Sequence, residues 1–361
     1  MATPLAQKIK SLISAHGPIS VTDYFALCLA DPEHGYYRTR NPFGRDGDFV
    51  TAPEVSQLFG EMLGIFMINT WQRHGEPRDV RLVEIGPGRG TMMADMLRVI
   101  SRAAPDLYET ATVHLVETSA LLKLTQMETL SSHGDKVSWH ESFDGVPEGF
   151  TLLAANELFD AIPIRQFVKT QNGFRERMVG LDEQGGLRLA LAPGATPFAS
   201  VLPDAGEGAE AELSEAGRSL AAAIGARIAR DGGWALIVDY GLESAGRAAS
   251  LQAVRGHQGA GILDRPGETD LSAHVDFAAL TAASGVASFG PVGQGDFLRR
   301  LGLAERAQAL KRHAKADQAD AIDAASARLI APDQMGTLFR VLALGDGRSA
   351  PPAGFTDAPS D

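Results

Sequence analysis

The sequence predicts an α/β fold built on a mostly parallel sheet, and three observations carry that prediction. From about residue 80 onward, short apolar runs alternate with stretches of helical periodicity, the pattern of parallel strands joined by crossover helices. The first such run stops at a turn containing Gly86, Gly88 and Gly90 and restarts as a helix. Side-chain-free residues there let the backbone approach a ligand, and the helix N-terminus offers unpaired N–H groups. Before residue 78 the periodicity is largely helical, which marks an extension outside the sheet. A chain of 361 residues, 44% hydrophobic and 22% charged, can bury a full core under such a sheet.

The elements follow in order. The opening "MATPLAQKIKSLISAHGPIS" lacks the unbroken apolar core of a signal peptide, and Leu5, Ile9, Leu12 and Ile13 recur at helical spacing, predicting a packed amphipathic helix. A loop rich in Gly, Pro, Asp and aromatics follows, "DPEHGYYRTRNPFGRDGDFVTAPE". Pro53 and Glu54 then open a helix that runs through "VSQLFGEMLGIFMINTWQRHG" to a stop at Gly75. Strands are predicted at "VRLVEIG", "TVHLVET", "KVSWHES" and "FTLLAAN", with helices at "TMMADMLRVISRA" and "SALLKLTQMETLSSHG" between them. Next comes a hairpin of "FVKTQNGFRERMVGLD" and "LRLALA" joined through "DEQGG", then a surface loop over 193–210. A helix at "LSEAGRSLAAAIGARIARDG" leads to a fifth buried strand, "GWALIVDYG".

The segment 241–277 is long and poorly periodic, which suggests a functional or mobile loop. "HVDFAALTAASG" returns to helical spacing, "LFRVLALG" supplies a last strand, and the tail from 346 to 361 is expected to be disordered. The domain reading is a helical and lid region over 1–77, the cofactor-binding half of the core over 78–170, an insertion over 171–230, the remainder of the core with a substrate-side segment over 231–345, and the tail.

Composition excludes several function classes. A formal net charge of −12 removes the uniform attraction to phosphate backbones or anionic lipid, so nucleic acid is not an expected partner. The single cysteine, Cys28, forms no internal disulfide and sits among apolar neighbours, which reads as a buried thiol in a reducing, cytoplasmic compartment. "MLGIFMINTW" is about half the roughly 20 residues a membrane span needs. No His pair has the H-E-x-x-H spacing, so no metal is expected.

The turn departs from the G-x-G-x-x-G dinucleotide fingerprint: its third glycine comes one residue early, and Thr91 fills the expected small position. Glu84 lies two residues before Gly86, where it would repel a pyrophosphate but suit a ligand carrying an ammonium and a sulfonium. Glu117 closes the next strand, placed to accept both hydroxyls of a ribose. S-adenosylmethionine has this charge pattern, with Glu84, Gly86, Pro87, Gly88, Gly90 and Glu117 as its candidate contacts. The alternative is a purely structural turn with acidic residues that end strands for solubility.

The E-x-G-x-G-x-G pattern of "VEIGPGRG" resembles the first motif of class I S-adenosylmethionine-dependent methyltransferases. More specifically, "HGYY", "GDFVTAPEVSQLFGE", "VEIGPGRGT", "NELFDAIPIRQF", "VDYG", "DLSAHVDF" and "QGDFL" occur in the order seen in the MidA family, over residues 5 to 345. That family includes a mitochondrial protein arginine methyltransferase acting in complex I assembly. The resemblance implies a Rossmann-like methyltransferase sheet of seven strands with extra N-terminal helices, an insertion after the fourth strand, and S-adenosylmethionine as cofactor.

In such a sheet the fourth strand ends beside the transferring methyl group, where Asn156, Glu157 and Asp160 cluster. A guanidinium is planar, permanently charged and best held by carboxylates. The resemblance makes Glu157 the first catalytic candidate and Asp160 the second clamp, with Asn156 on the cofactor side; otherwise Asp160 caps a short helix and Glu157 is solvated. By position in the class, Ser142 and Phe143 would read the adenine, with Asp144 as a substitute acid. Gly47, Asp48, Phe49 and Thr51 are candidates for a lid, Tyr36 and Tyr37 for an aromatic slot, and His257 or His274 for a proton acceptor. The function implied is arginine methylation of a protein, with a respiratory complex I subunit as partner. A non-catalytic assembly protein that keeps the fold and a small-molecule methyltransferase are the alternatives.

Overall fold

The main path of the central sheet has seven strands, β1 (Val80–Ile85), β2 (Thr112–Val116), β3 (Val137–His140), β4 (Phe150–Asn156), β5 (Gly233–Leu242), β6 (Ala287–Gly293) and β7 (Phe339–Gly345), in the spatial order β3-β2-β1-β4-β5-β7-β6, and a two-residue strand, Val275–Asp276, pairs in parallel with the end of β5 as an eighth. The computed structural model describes residues 2–39, 51–242, 249–347 and 351–356. From β3 to β5 all neighbours pair in parallel, and β7 runs antiparallel to both β5 and β6. The chain moves outward from β1 to β3 and then returns to place β4 on the other side of β1. That reversal opens a crevice at the C-terminal ends of β1 and β4, the place where open α/β sheets bind ligands.

The sheet is buried on both faces, which is why its strands read as near-continuous apolar runs. One face packs Leu82, Leu152 and Leu236 against the helices Gln57–Arg73 and Thr91–Ala103; the other packs Val83, Leu153 and Ile237 against Glu215–Asp231 and Phe277–Ser284. The first two helices lie very close together. A Cβ at Gly64 would stand 2.4 Å from Val99 Cγ1, and one at Gly60 would stand 2.6 Å from Asp95 Cβ. Buried Glu61 clamps the same pair, accepting from Arg98 (Nη2, 3.1 Å) and from Arg306 (Nε, 2.8 Å). The helix that begins at the glycine turn is thereby fixed against the sheet.

A second core joins the N-terminal helices Pro4–His16 and Val21–Ala30 to the insertion, through Leu5, Ile9, Phe25, Ile164, Val179 and Leu271. Several expectations change here. "FVKTQNGFRERMVGLD" is itself two strands, Arg165–Thr170 and Gly173–Leu181, which with Leu187–Leu191, Glu210–Leu213 and Ile19–Ser20 make a five-stranded antiparallel sheet. The helix expected from Pro53 to Gly75 is two helices, Ala52–Val55 and Gln57–Arg73. Ser56 between them is extended, and its hydroxyl accepts from the Leu58 N–H as an N-cap.

The 241–277 segment contributes a three-stranded sheet, Gln252–Arg255, Gln258–Ala260 and Asp270–Ser272. The apolar periodicity does not mark β6 or the helices Gln294–Arg300, Leu303–Lys311 and Ala316–Ile330; β6 is an edge strand whose register shifts between Phe289 and Val292, so it lacks clean alternation. The expectation of a disordered tail is corrected for 351–356: the Phe355 ring packs 5.4 Å from that of Phe297 and 6.4 Å from that of Phe66.

Candidate functional site

The backbone leaves β1 through three left-handed positions in five residues, Gly86 (φ 69°), Gly88 (φ 52°) and Gly90 (φ 81°), which L side chains rarely adopt. Pro87 lies between the first two, and the Pro87 carbonyl accepts from the Gly90 N–H at 2.7 Å. The turn, Glu84, Asn156, Glu157 and the start of the helix at Thr91 line one cleft. Glu84 is 2% exposed, and burial pushes its carboxyl well above the usual range even though the Met93 N–H bonds to it. Its Oε2 and the Oδ1 of Asn156 are buried with no hydrogen-bond partner among the described residues. Orphaned buried acceptors are rare, and two in one cleft form a receptor for an N–H-bearing cation.

Glu117 follows β2, and its N–H donates to the His140 carbonyl at 3.0 Å. Its Oε1 accepts from the Ser119 N–H (2.7 Å) and its Oε2 from Gln126 Nε2 (3.2 Å). Gln126 Nε2 also donates to the Gly88 carbonyl at 2.8 Å, so one side chain ties the carboxylate to the glycine turn. Burial raises the Glu117 pKa against these two bonds. An ionised carboxylate has about four acceptor positions, which leaves capacity for a diol.

On the other wall, β4 ends at Asn156 and Glu157 takes a left-handed conformation (φ 50°), its N–H donating to the Val238 carbonyl at 2.9 Å. Its Oε1 accepts from the Ala52 N–H (3.1 Å) and from Asn156 Nδ2 (3.2 Å), so Glu157 is tied into the site rather than solvated. Burial raises its pKa against those bonds and the charge of Arg328. The short helix Ala52–Val55 straps the cleft from Glu157 to the glycine turn: Glu54 accepts from the Thr91 hydroxyl (2.7 Å) and from Arg89 Nη1 (3.2 Å). Thr51 precedes that helix and lines the cleft. Gly47, Asp48 and Phe49, expected in the lid, lie outside the described residues.

The N–H groups that open the turn after β4 are capped by Asp239 on β5. The Asp239 Oδ2 accepts from the N–H groups of Phe159 (2.7 Å), Leu158 (3.0 Å) and Asp160 (3.4 Å), and its Oδ1 from that of Tyr240 (2.8 Å). Burial, then the charge of Glu157, pushes Asp160 up to about 7. Burial, then the charge of Asp160, raises Asp239 well above the usual range. The Tyr37 hydroxyl is raised by burial and then by Asp270 and Asp160, and it shares a hydrogen bond with Asp270. An acidic wall thus gathers at the C-terminal ends of β4 and β5.

Other candidates lie elsewhere. Tyr36 is fully buried in the N-terminal core, with its ring edge-on to that of Tyr37 at 5.2 Å, so it walls no open slot. The Phe143 ring is buried in the core under the Arg227 guanidinium at 5.1 Å, and Ser142 beside it is exposed. His257 is exposed in the turn between Arg255 and Gln258, in a left-handed conformation (φ 60°), outside the cleft lining. His274 packs edge-on against Tyr240 at 4.3 Å, and burial lowers its pKa. Sequence reasoning missed Glu54, Gln126, Asp239 and Asp270 as site residues. Asp239 carried a signal, an acid at the end of the apolar run "WALIVDYG", whereas nothing local marks the other three.

A family model for S-adenosyl-L-methionine-dependent methyltransferases matches residues 62–292. Protein arginine methyltransferase NDUFAF7, mitochondrial, from Danio rerio is 35% identical over 98% of this chain and 92% of its own length. The Mus musculus protein of the same name is 36% identical over 95% of this chain and 84% of its own length. A crystal structure of a Burkholderia thailandensis protein bound to S-adenosyl-homocysteine superposes with a TM-score of 0.84 at 28% identity, covering 98% of this chain and 95% of that one.

Proposed function

The chain belongs to the MidA-like family of S-adenosylmethionine-dependent methyltransferases, and on that premise we propose that it methylates arginine in a protein, with a respiratory complex I subunit as acceptor and the bacterial cytoplasm as compartment. S-adenosylmethionine is the cofactor. The residues present fit it: the orphaned Glu84 Oε2 and Asn156 Oδ1 would take an ammonium, Glu117 the ribose hydroxyls, and the glycine turn would leave room for both. When bound, the cofactor supplies an electrophilic methyl group on a sulfonium.

The rest falls to the chain. Transfer of this kind needs alignment and exclusion of water more than covalent help from protein. The observation that carries the arginine assignment is the acidic pair Glu157 and Asp160 on the turn after β4: both are half-buried, Glu157 lines the cleft and is held there by the Ala52 N–H and Asn156, and burial raises both carboxyls, with the charge of Glu157 adding to the rise at Asp160. A permanently charged guanidinium relieves both burial and repulsion at once. Glu157 would hold the guanidinium and localise its charge, leaving one nitrogen richer in lone-pair character, while Asp160 takes a second N–H. The Ala52–Val55 strap keeps water from the reacting atoms. The Danio rerio and Mus musculus relatives, both protein arginine methyltransferases, support this acceptor class.

The test is purified protein with methyl-labelled cofactor and lysate, followed by mass spectrometry of complex I subunits from cells with and without the chain. Label on arginine of one subunit, absent in the deletion, is the expected result. Label confined to small molecules, or no label with cofactor bound, overturns the proposal in favour of a small-molecule acceptor or an assembly role.

A further inference from the structure

We propose that Asp239 is a positioning residue for methyl transfer: by gathering the N–H groups of the turn after β4, its carboxyl group holds Glu157 in the left-handed conformation that directs its side chain into the cleft. The inference rests on the assignment of Glu157 to the acceptor.

A non-glycine residue in the left-handed region is strained, and such a conformation persists only where its surroundings over-determine it. Two consecutive residues of β5 supply that determination. The Val238 carbonyl accepts from the Glu157 N–H, and the Asp239 carboxyl accepts from the next three N–H groups, those of Leu158, Phe159 and Asp160. The turn needs an outside acceptor. It is the start of a single 3-10 turn, Phe159–Ala161, whose preceding residue Leu158 has no side-chain acceptor.

The location of Asp239 is otherwise costly. It is fully buried after the apolar run of β5, and its hydrogen bonds among the described residues all come from backbone, the four N–H groups that converge on it. The turn it holds also sets the distance between the two walls. A Cβ at Gly86 would stand 3.0 Å from Leu158 Cδ1, so Leu158 rests directly on the glycine turn. A slack turn would move Glu157 relative to the cofactor site without touching Glu84 or Glu117.

The experiment uses full-length Asp239→Ala and Asp239→Asn proteins, with amide hydrogen exchange, cofactor calorimetry and steady-state methyl transfer measured on each. In Asp239→Ala, exchange over 157–161 should accelerate at least about tenfold, while that over 112–117 stays unchanged. Cofactor Kd should stay within about threefold while kcat falls about a hundredfold, the scale set by a small misplacement of a reacting group. Asparagine keeps one acceptor oxygen and should restore part of kcat; it also carries the test if the alanine variant does not fold.

A role confined to stability would lower cofactor affinity in step with kcat, which overturns the proposal. So does unchanged exchange over 157–161. Faster exchange with undiminished kcat overturns it through its premise, because Glu157 would then not govern transfer; a fall in kcat for Glu157→Gln with unchanged exchange in both Asp239 variants overturns the positioning role alone.

Discussion

The wall around the glycine turn draws its parts from residues 84–126, a strand, a turn, two helices, a strand and a helix in succession, whereas the wall around Glu157 is assembled from residues 37, 52, 157–160, 239 and 270. The first wall is closed by local bonds: Gly90 to Pro87, Ser119 to Glu117, and Gln126 to both Glu117 and Gly88. The second exists only when the N-terminal helices, β4, β5 and the segment before residue 277 have come together. Chemistry divides the same way. One wall presents acceptors for a ligand whose charge distribution is constant, and the other concentrates carboxyls whose mutual repulsion a substrate cation must relieve.

If the walls are separable in this sense, substitutions should separate binding from transfer. The largest effect is expected for Glu157→Gln, which keeps the shape and loses the charge: kcat should drop by about a hundredfold or more while calorimetry gives an unchanged cofactor Kd. Full turnover in this variant would take Glu157 out of the mechanism. The reverse is expected for Glu117→Ala, which removes a charged acceptor of ribose hydroxyls. Cofactor Kd should rise by about 10- to 100-fold, the equivalent of ~1.5–3 kcal/mol for hydrogen bonds to a charged group, with kcat at saturation changed little. A parallel loss of both parameters in either variant would mean that the walls act as one unit.

The same contrast governs what was legible in the sequence. Strands β1 to β5, the helix after the glycine turn, and Glu84 and Glu117 could be placed because strand ends, glycines and acids at fixed offsets are local patterns, and packing on both sheet faces follows directly from apolar runs. The single helix expected over 53–75 failed for a local reason: a serine can cap a new helix as readily as sit inside one, and Ser56 does the former. Asp239 and Asp270 were missed as site residues because their partners lie about 80 and 230 residues away in sequence, and no periodicity records such a pairing.

The smallest effect, and the finest probe of the acidic wall, is the pH dependence of stability at Asp160. Its carboxyl sits at about 7 in the folded protein, above the ~3.9 of an unfolded chain. Between those values the folded state binds more protons than the unfolded one, so the slope of unfolding free energy with pH is negative and stability is lost as pH rises through that window. Asp239 is raised in the same direction and the two carboxyls repel, so they titrate as a pair and the loss belongs to both. Asp160→Asn removes one of the two charges. Its Tm should exceed that of the parent protein by about 2–4 °C at pH 8, and the difference should shrink steadily as pH falls toward 4. An Asp160 that faced open solvent would give coincident melting curves across the whole range, and the acidic wall would then carry no repulsion for an arginine to relieve.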